Sequence, residues 1–223
     1  MKYHVEFDVE LRRNPYKGLY IALEGIDGSG KTTQLKRLYD SFQKNGKEVV
    51  VTREPRKQDG IIGDLIQRIL HGKTKIPPVA FQYLFTADRE MHHEELVIPA
   101  LKAGKVVVSD RCFWSAIPYG LLDRKSGINE NTIEYMLVAQ GILSMYHQFI
   151  VPDYTFYLDI PLDTALMRIA SSDRASEIYE ERGKLEKVIN GYQWLLKEFG
   201  EEFIVIEGAK SVEEVTESLI SYL

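Results

Sequence analysis

The sequence predicts an α/β fold in which helices cover a parallel sheet, and three observations carry that expectation. Five short runs rich in β-branched and aliphatic residues recur along the chain. The segments between them are long enough for helical crossovers. The stretch "GIDGSGKTT" (25–33) stands where a strand would hand over to a helix.

The expected strands are "LYIALE" (19–24), "EVVVTRE" (48–54), "KVVVSD" (105–110), "YTFYLDI" (154–160) and "FIVIE" (203–207). Their aliphatic character on both faces suits strands buried between two helical layers. Helices are expected over 31–44, 61–71, 79–103, 130–147, 184–199 and 211–222. The last opens with "SVEE", a capping-box pattern. Residues 168–183, "RIASSDRASEIYEERG", are polar and poor in core residues and read as a mobile surface segment. From Lys2 to Leu11 polar and apolar residues alternate, with Tyr3, Val5, Phe7, Val9 and Leu11 on one side, as in a half-buried strand. Such a strand needs the sheet edge, a second copy or a partner protein to pair with. The chain is therefore expected to comprise an N-terminal extension (1–18) and one domain (19–223).

At 223 residues, 44% hydrophobic and 27% charged, the composition suits one compact core. The net charge of −5 argues against nucleic acid or an anionic membrane as a partner. An anionic substrate would have to be captured by local arginines. The single cysteine, Cys112, excludes an intramolecular disulfide. With no secretory signal and no apolar run near the ~20 residues of a membrane helix, a soluble, reducing, cytoplasmic setting is expected.

"GIDGSGKT" fits G-x-x-x-x-G-K-[ST] between a strand and a helix, the context in which that spacing cradles phosphate. Gly25, Gly28 and Gly30 let backbone N–H groups converge, Lys31 meets the β- and γ-phosphates, and Thr32 offers its hydroxyl to Mg²⁺. Ser29 and Thr33 complete the expected ATP site. Asp110, ending "KVVVSD", reaches the same metal directly or through water. Arg111 follows it, and Arg53 in "TREP" ends the second strand; both lie where open α/β sheets bind ligands. In "LFTADRE", Phe85 and Arg89 are four apart on one helix face, where Phe85 suits either core packing or stacking on a ligand. The arginine forks match a phosphorylated acceptor. Asp27 is the anomaly, an acid inside a loop built for anions. Either it turns outward or it faces a second guest with a proton to donate.

With these residues assembled, the chain resembles the thymidylate kinase family of P-loop nucleoside monophosphate kinases. The likeness runs from Leu19 to the C-terminus and includes "LEGIDGSGKTTQ", "TREP", "YLFTADREMHHEELVIPALKAGKVVVSDR", "YTFYLDIP" and "IEGAKSVEEV". It implies a three-layer P-loop NTPase fold with a five-stranded parallel sheet and a short lid. It also implies Mg²⁺-ATP phosphorylating dTMP to dTDP in a homodimer packed through helices. By the same resemblance, Asp27 accepts from the sugar 3′-hydroxyl and Arg53 and Arg111 hold the acceptor phosphate. Phe85 stacks on thymine and Arg89 donates to a base carbonyl. Ser115 is kept, and Tyr119 packs against the deoxyribose. Lys31, Arg111 and a lid arginine form the implied catalytic set. Gly28 follows Asp27, so the chain resembles the members whose arginine sits in the lid; Arg168, Arg174 and Arg182 are candidates, and Arg174, deepest in the polar stretch, is chosen. The chain departs from the family pattern at "DRCFWSAIPYG", where Gly120 takes the position of a base-contacting glutamine, and at Gln67, where an arginine is expected. Two other readings remain open: a kinase for another nucleoside or its monophosphate, and a nucleotide-dependent switch, although no Asn-Lys-x-Asp motif is present.

Overall fold

In the computed structural model, which describes residues 10–57, 60–122, 133–171 and 178–223, five strands form one parallel sheet. They are β1 (Leu19–Glu24), β2 (Val49–Arg53), β3 (Val106–Asp110), β4 (Tyr154–Asp159) and β5 (Ile204–Glu207), in the order β2-β3-β1-β4-β5. The central strand β1 is flanked on both edges and covered on both faces, so all its residues after Leu19 are buried. An alternating pattern would have placed charges in a core. This is the physical reason the strand runs read as continuously apolar.

Alternate residues feed opposite layers. Ile21 and Leu23, with Val106, Val108, Phe156 and Leu158, meet Leu38 of α1 (Lys31–Lys44) and Val215 and Leu219 of α9 (Val212–Ile220). On the other face Tyr20 and Val107 meet Val97, Ile98 and Leu101, while Ala22 and Tyr157 join the larger core built from α5 (Ala116–Leu122) and α8 (Arg182–Glu198). The remaining helices are α2 (Gly60–Leu70), α3 (Pro78–His92), α4 (Ile98–Lys102), α6 (Ile133–Leu143) and α7 (Leu162–Ala170). At α9 the capping box forms: the Ser211 hydroxyl accepts from the Glu214 N–H at 3.3 Å, and the Glu214 carboxylate accepts from the Ser211 N–H at 3.0 Å.

Three expectations change. The single helix expected over 79–103 is α3 and α4 joined by a π turn at His93–Val97. Pro99 has no N–H to give to Glu95, and in α geometry its ring would strike that carbonyl; the wider turn relieves both faults. Helices α5 and α7 were not anticipated, because α5 is short and contains Pro118, and α7 mixes Asp163, Thr164 and Arg168 into its pattern. Of the expected N-terminal strand, residues 2–9 lie outside the described residues, and Glu10 and Leu11 are not in a strand. Instead Arg12 makes a single parallel bridge to Ile150, with the Val151 N–H donating to the Arg12 carbonyl at 2.9 Å.

Gly18 sets the entry into β1. Its N–H donates to the Leu101 carbonyl at 3.0 Å, and a Cβ there would lie 2.4 Å from the Lys105 carbonyl oxygen and 2.7 Å from Leu101 Cα. Both neighbours are backbone and cannot rotate aside. Gly18→Ala is expected to destabilise the fold by about 1–3 kcal/mol. Urea unfolding should show a lower midpoint at an unchanged slope; an unaltered midpoint would show that the β1 entry yields.

Candidate active site

The sheet register brings the chemistry to one edge. Leu23, just before the phosphate loop, pairs with Asp110, and Arg53 pairs with Asp110 from the other side. Beyond these strand ends opens a cavity of about 570 Å³. Asp27, Gly28, Gly30, Lys31, Thr32, Thr33, Arg53, Phe85, Arg89, Asp110, Arg111, Ser115 and Tyr119 all line it.

In the loop, Gly25, Gly28 and Gly30 have φ of 140°, 81° and 98°. Gly28 has a second reason to be glycine, since a Cβ there would lie 2.7 Å from the Ala165 carbonyl oxygen of α7. No arginine can occupy that position without moving α7. Helix α1 starts at Lys31 with no side-chain cap, so its first N–H groups are left for an anion. Lys31 Nζ donates to the Gly25 and Ile26 carbonyls at 3.1 and 2.9 Å, with the Ser29 hydroxyl at 3.4 Å. Burial, with Arg111 nearby, pushes its ammonium down to about 8 in spite of Asp110, Asp27 and Glu24. The Thr32 hydroxyl donates to Asp110 Oδ2 at 3.2 Å. One hydroxyl and one carboxylate beside a phosphate cradle form the hard-oxygen donor set that Mg²⁺ accepts while keeping its waters.

Arg111 lines the facing wall, and both of its Nη atoms are held by protein contacts. Its Nη1 donates to the Gly25 carbonyl at 2.9 Å and to Ser115 Oγ and Tyr192 OH at 3.1 Å each. Its Nη2 donates to Asp27 Oδ1 at 2.8 Å and Tyr119 OH at 2.7 Å. Burial alone would lower this guanidinium, but Tyr119, Tyr192, Asp27 and Glu24 more than offset it, so it stays charged. The acid of the phosphate loop thus has a cation within the fold. Tyr119 also packs edge-on to Tyr179 at 5.1 Å.

On the third wall, half-buried Phe85 packs on Phe81 at 4.3 Å and presents a flat surface to the cavity. Buried Arg89 donates through Nε to Glu54 and lies 4.7 Å over the Tyr146 ring. Burial would raise the Glu54 carboxyl, but Arg89 with His92 and His93 brings it down to about 2. Among the described residues, Arg89 Nη1 and Arg53 Nε have no hydrogen-bond partner. Both atoms are buried in the wall rather than open to the cavity.

The three lid arginines separate. Arg168, in α7, lines the cavity and donates to the Gly208 and Gly28 carbonyls at 3.3 and 3.4 Å. Arg182 pairs with Asp163 on the surface, away from the cavity. Arg174 lies outside the described residues. Sequence reasoning passed over Glu24, Glu54, Gln82, Tyr179 and Tyr192. For Glu24 a signal existed, a carboxylate directly after an apolar strand core.

A family profile for thymidylate kinase matches residues 23–219. The chain belongs to the thymidylate kinase family. Similar thymidylate kinases span nearly their whole length on it. A probable thymidylate kinase of Thermococcus kodakarensis is 34% identical over 213 residues, covering 92% of this chain and 97% of its own. A thymidylate kinase of Thermoanaerobacter sp. is 34% identical over 205 residues, with 92% and 96% covered. A probable thymidylate kinase of Methanocaldococcus jannaschii is 36% identical over 206 residues, with 92% and 95% covered.

The depressed Lys31 has a measurable consequence in this thymidylate kinase family member. A triphosphate beside Nζ restores the charged form, so above the free value of about 8 the bound state holds more protons than the free state. ATP binding at pH 8–9 should take up protons, and affinity should fall as pH rises through that window. Calorimetry in two buffers of different ionisation enthalpy reads the uptake directly; identical heats in both would refute it.

Proposed function

We propose that this protein is an ATP-dependent thymidylate kinase that phosphorylates dTMP to dTDP. The observation that carries the reading is one cavity with two anion-binding walls. A Gly-Lys-Thr loop at a helix N-terminus faces Arg53 and Arg111, and the aromatic surface of Phe85 completes the acceptor side.

The reaction needs positioning and electrostatics rather than a covalent intermediate. The loop N–H groups and Lys31 hold the donor phosphates, and Arg53 with Arg111 brings the acceptor phosphate into line. An acceptor phosphate oxygen bonds to the γ-phosphorus as the bridge to ADP breaks, and ADP leaves with that electron pair. The acceptor is already anionic, so no general base is required. Thr32 and Asp110 would hold Mg²⁺, which when bound neutralises charge on the β- and γ-oxygens. Asp27 is assigned to the acceptor 3′-hydroxyl while it retains Arg111, Phe85 to stacking on the base, Arg89 to a base carbonyl, and Tyr119 with Ser115 to the sugar side. Arg174 is assigned to the transferred phosphoryl group. Exposed Ile61 on α2, Val79 and Tyr83 on α3 and Leu137 on α6 support a homodimer packed through helices. No helix among the described residues is long and apolar enough to cross a membrane, and we place the enzyme in the cytoplasm with its nucleotide substrates.

A kinase for unphosphorylated nucleosides would have no use for Arg53 and Arg111 on the acceptor wall. A nucleotide-dependent switch would hydrolyse ATP slowly without an acceptor. ADP release measured across a panel of nucleoside monophosphates separates these readings, with turnover expected to require dTMP. Acceptor-independent hydrolysis at the same rate would reject the kinase assignment.

Lys31→Ala should nearly abolish kcat while leaving dTMP binding in place. Arg174→Ala should lower kcat by about 10³ with smaller changes in either KM. Normal kcat in Arg174→Ala would remove the residue from the transition state.

A further inference from the structure

We propose that Tyr192 is a positioning residue for the acceptor phosphate: from behind the cavity wall its hydroxyl holds Arg111 so that one edge of the guanidinium faces the acceptor. The inference rests on the dTMP kinase reading above. Tyr192 is 0% exposed and is not part of the cavity surface, so it can act on a guest only through another residue. Arg111 Nη1 donates to Tyr192 OH at 3.1 Å, and the other acceptors of that nitrogen, the Gly25 carbonyl and Ser115 Oγ, are buried as well. Nη2 reaches Asp27 and Tyr119 instead, and both of these line the cavity. The guanidinium is thus pinned along its Nη1 edge and presents its Nη2 edge.

A hydroxyl suits the gap between the two buried charges. A guanidinium only donates and a carboxylate only accepts, and Arg111 Nη1 lies 3.9 Å from Glu24 Oε2, beyond hydrogen-bond reach. Tyr192 OH donates to Glu24 Oε2 at 2.7 Å, which leaves its lone pairs to accept from Nη1. Burial, with Glu24 beside it, pushes the phenol well above its usual range, so that proton is kept. Ser115 Oγ makes the same two contacts, at 2.5 and 3.1 Å. Two hydroxyls therefore join cation to anion side by side.

The helix crossing delivers the phenol to this place. Gly191 precedes Tyr192 on α8, and a Cβ there would lie 2.7 Å from Pro118 Cα and 3.0 Å from Pro118 Cβ on α5. The two helices touch with no side chain between them. The residues that follow this contact on each helix are Tyr192 and Tyr119, so one crossing gives each Nη of Arg111 a tyrosine hydroxyl. On its sheet side the Tyr192 ring packs against Tyr157 of β4 at 4.9 Å. Removing the hydroxyl should therefore weaken the hold on the acceptor's phosphate and spare its nucleoside.

The test measures Kd for dTMP and for thymidine by calorimetry in the unaltered enzyme, in Tyr192→Phe and in Gly191→Ala. The unaltered enzyme should bind dTMP the more tightly, because only the nucleotide carries the phosphate. Tyr192→Phe keeps the ring against Tyr157 and loses the hydroxyl, so the preference for dTMP over thymidine should shrink roughly 10-fold while thymidine and ATP bind as before. The KM for dTMP should rise by the same factor. Gly191→Ala keeps the hydroxyl but presses α8 away from Pro118, and should shrink the preference in the same direction. An undiminished preference in Tyr192→Phe, or in Gly191→Ala should the first variant not fold, would overturn the role of Tyr192. Equal weakening of dTMP and thymidine, the mark of a merely structural residue, would overturn it too. An unaltered enzyme that binds thymidine as tightly as dTMP would instead overturn the assignment of the acceptor phosphate to Arg111, and the kinase reading with it.

Discussion

A carboxylate with no access to water organises the reactive end of this fold. Glu24 ends the central strand at 0% exposure, accepting from the Cys112 N–H at 2.9 Å, Ser115 Oγ at 2.5 Å and Tyr192 OH at 2.7 Å, with Arg111 3.9 Å away. An unpaired charge in such a place costs several kcal/mol, so the groups that satisfy it have to converge. They come from the turn after β3, from the residue just before α5 and from α8. To meet the carboxylate the chain bends at Arg111 into a left-handed conformation, φ 74°, which costs a non-glycine residue about 1–2 kcal/mol. That bend aims the guanidinium back at the phosphate loop. The strain is retained because the Ser109 hydroxyl donates to the Arg111 carbonyl at 2.6 Å and the Arg111 N–H donates to Leu23 at 2.9 Å.

The same logic, repeated one strand over, stiffens the acceptor side. Glu54 holds Arg89 and accepts from His92, whose other ring nitrogen lies 2.6 Å from the Thr52 hydroxyl. Burial pushes neighbouring His93 down to about 4, so it stays neutral behind this chain of contacts. The protein carries a net charge of −5, yet the cavity presents Lys31, Arg53, Arg89, Arg111 and Arg168. Glu24 and Glu54 are each spent on holding an arginine in place beside that cavity. Groups fixed before the substrate arrives need no reorganisation during the reaction.

Much of this was legible in the chain. The strands declare themselves because a sheet covered on both faces demands apolar residues at every position, and "GIDGSGKT" declares itself because only glycine and a cation suit a close anion. The site residues predicted from strand ends, Arg53, Asp110 and Arg111, gather at one edge because a parallel sheet aligns carboxyl ends. What was missed depends on long-range partners. The pairing of Glu24 with Ser115 and Tyr192, or of Gly191 with Pro118, joins residues far apart in sequence and leaves no local period. The π turn is intermediate: the helical pattern persists through 93–97, and Pro99 was the visible sign that its geometry had to change. From the residues alone Asp27 either turns outward or faces a guest, and the structure adds that Arg111 already neutralises it.

The strand order has a consequence for how the chain reaches this state. Of the five sheet strands, the earliest in sequence, β1, lies in the middle: Leu19 pairs with Val106 and Ile21 with Tyr154. During synthesis "LYIALE" therefore emerges without either neighbour, and the carboxylate that ends it waits still longer for Tyr192. Contacts this distant close slowly, and an apolar segment held open meanwhile is exposed to wrong pairing. The nascent chain has to keep its future centre soluble until β3 and β4 have been translated, a demand that falls on translation rate and chaperones rather than on the finished enzyme.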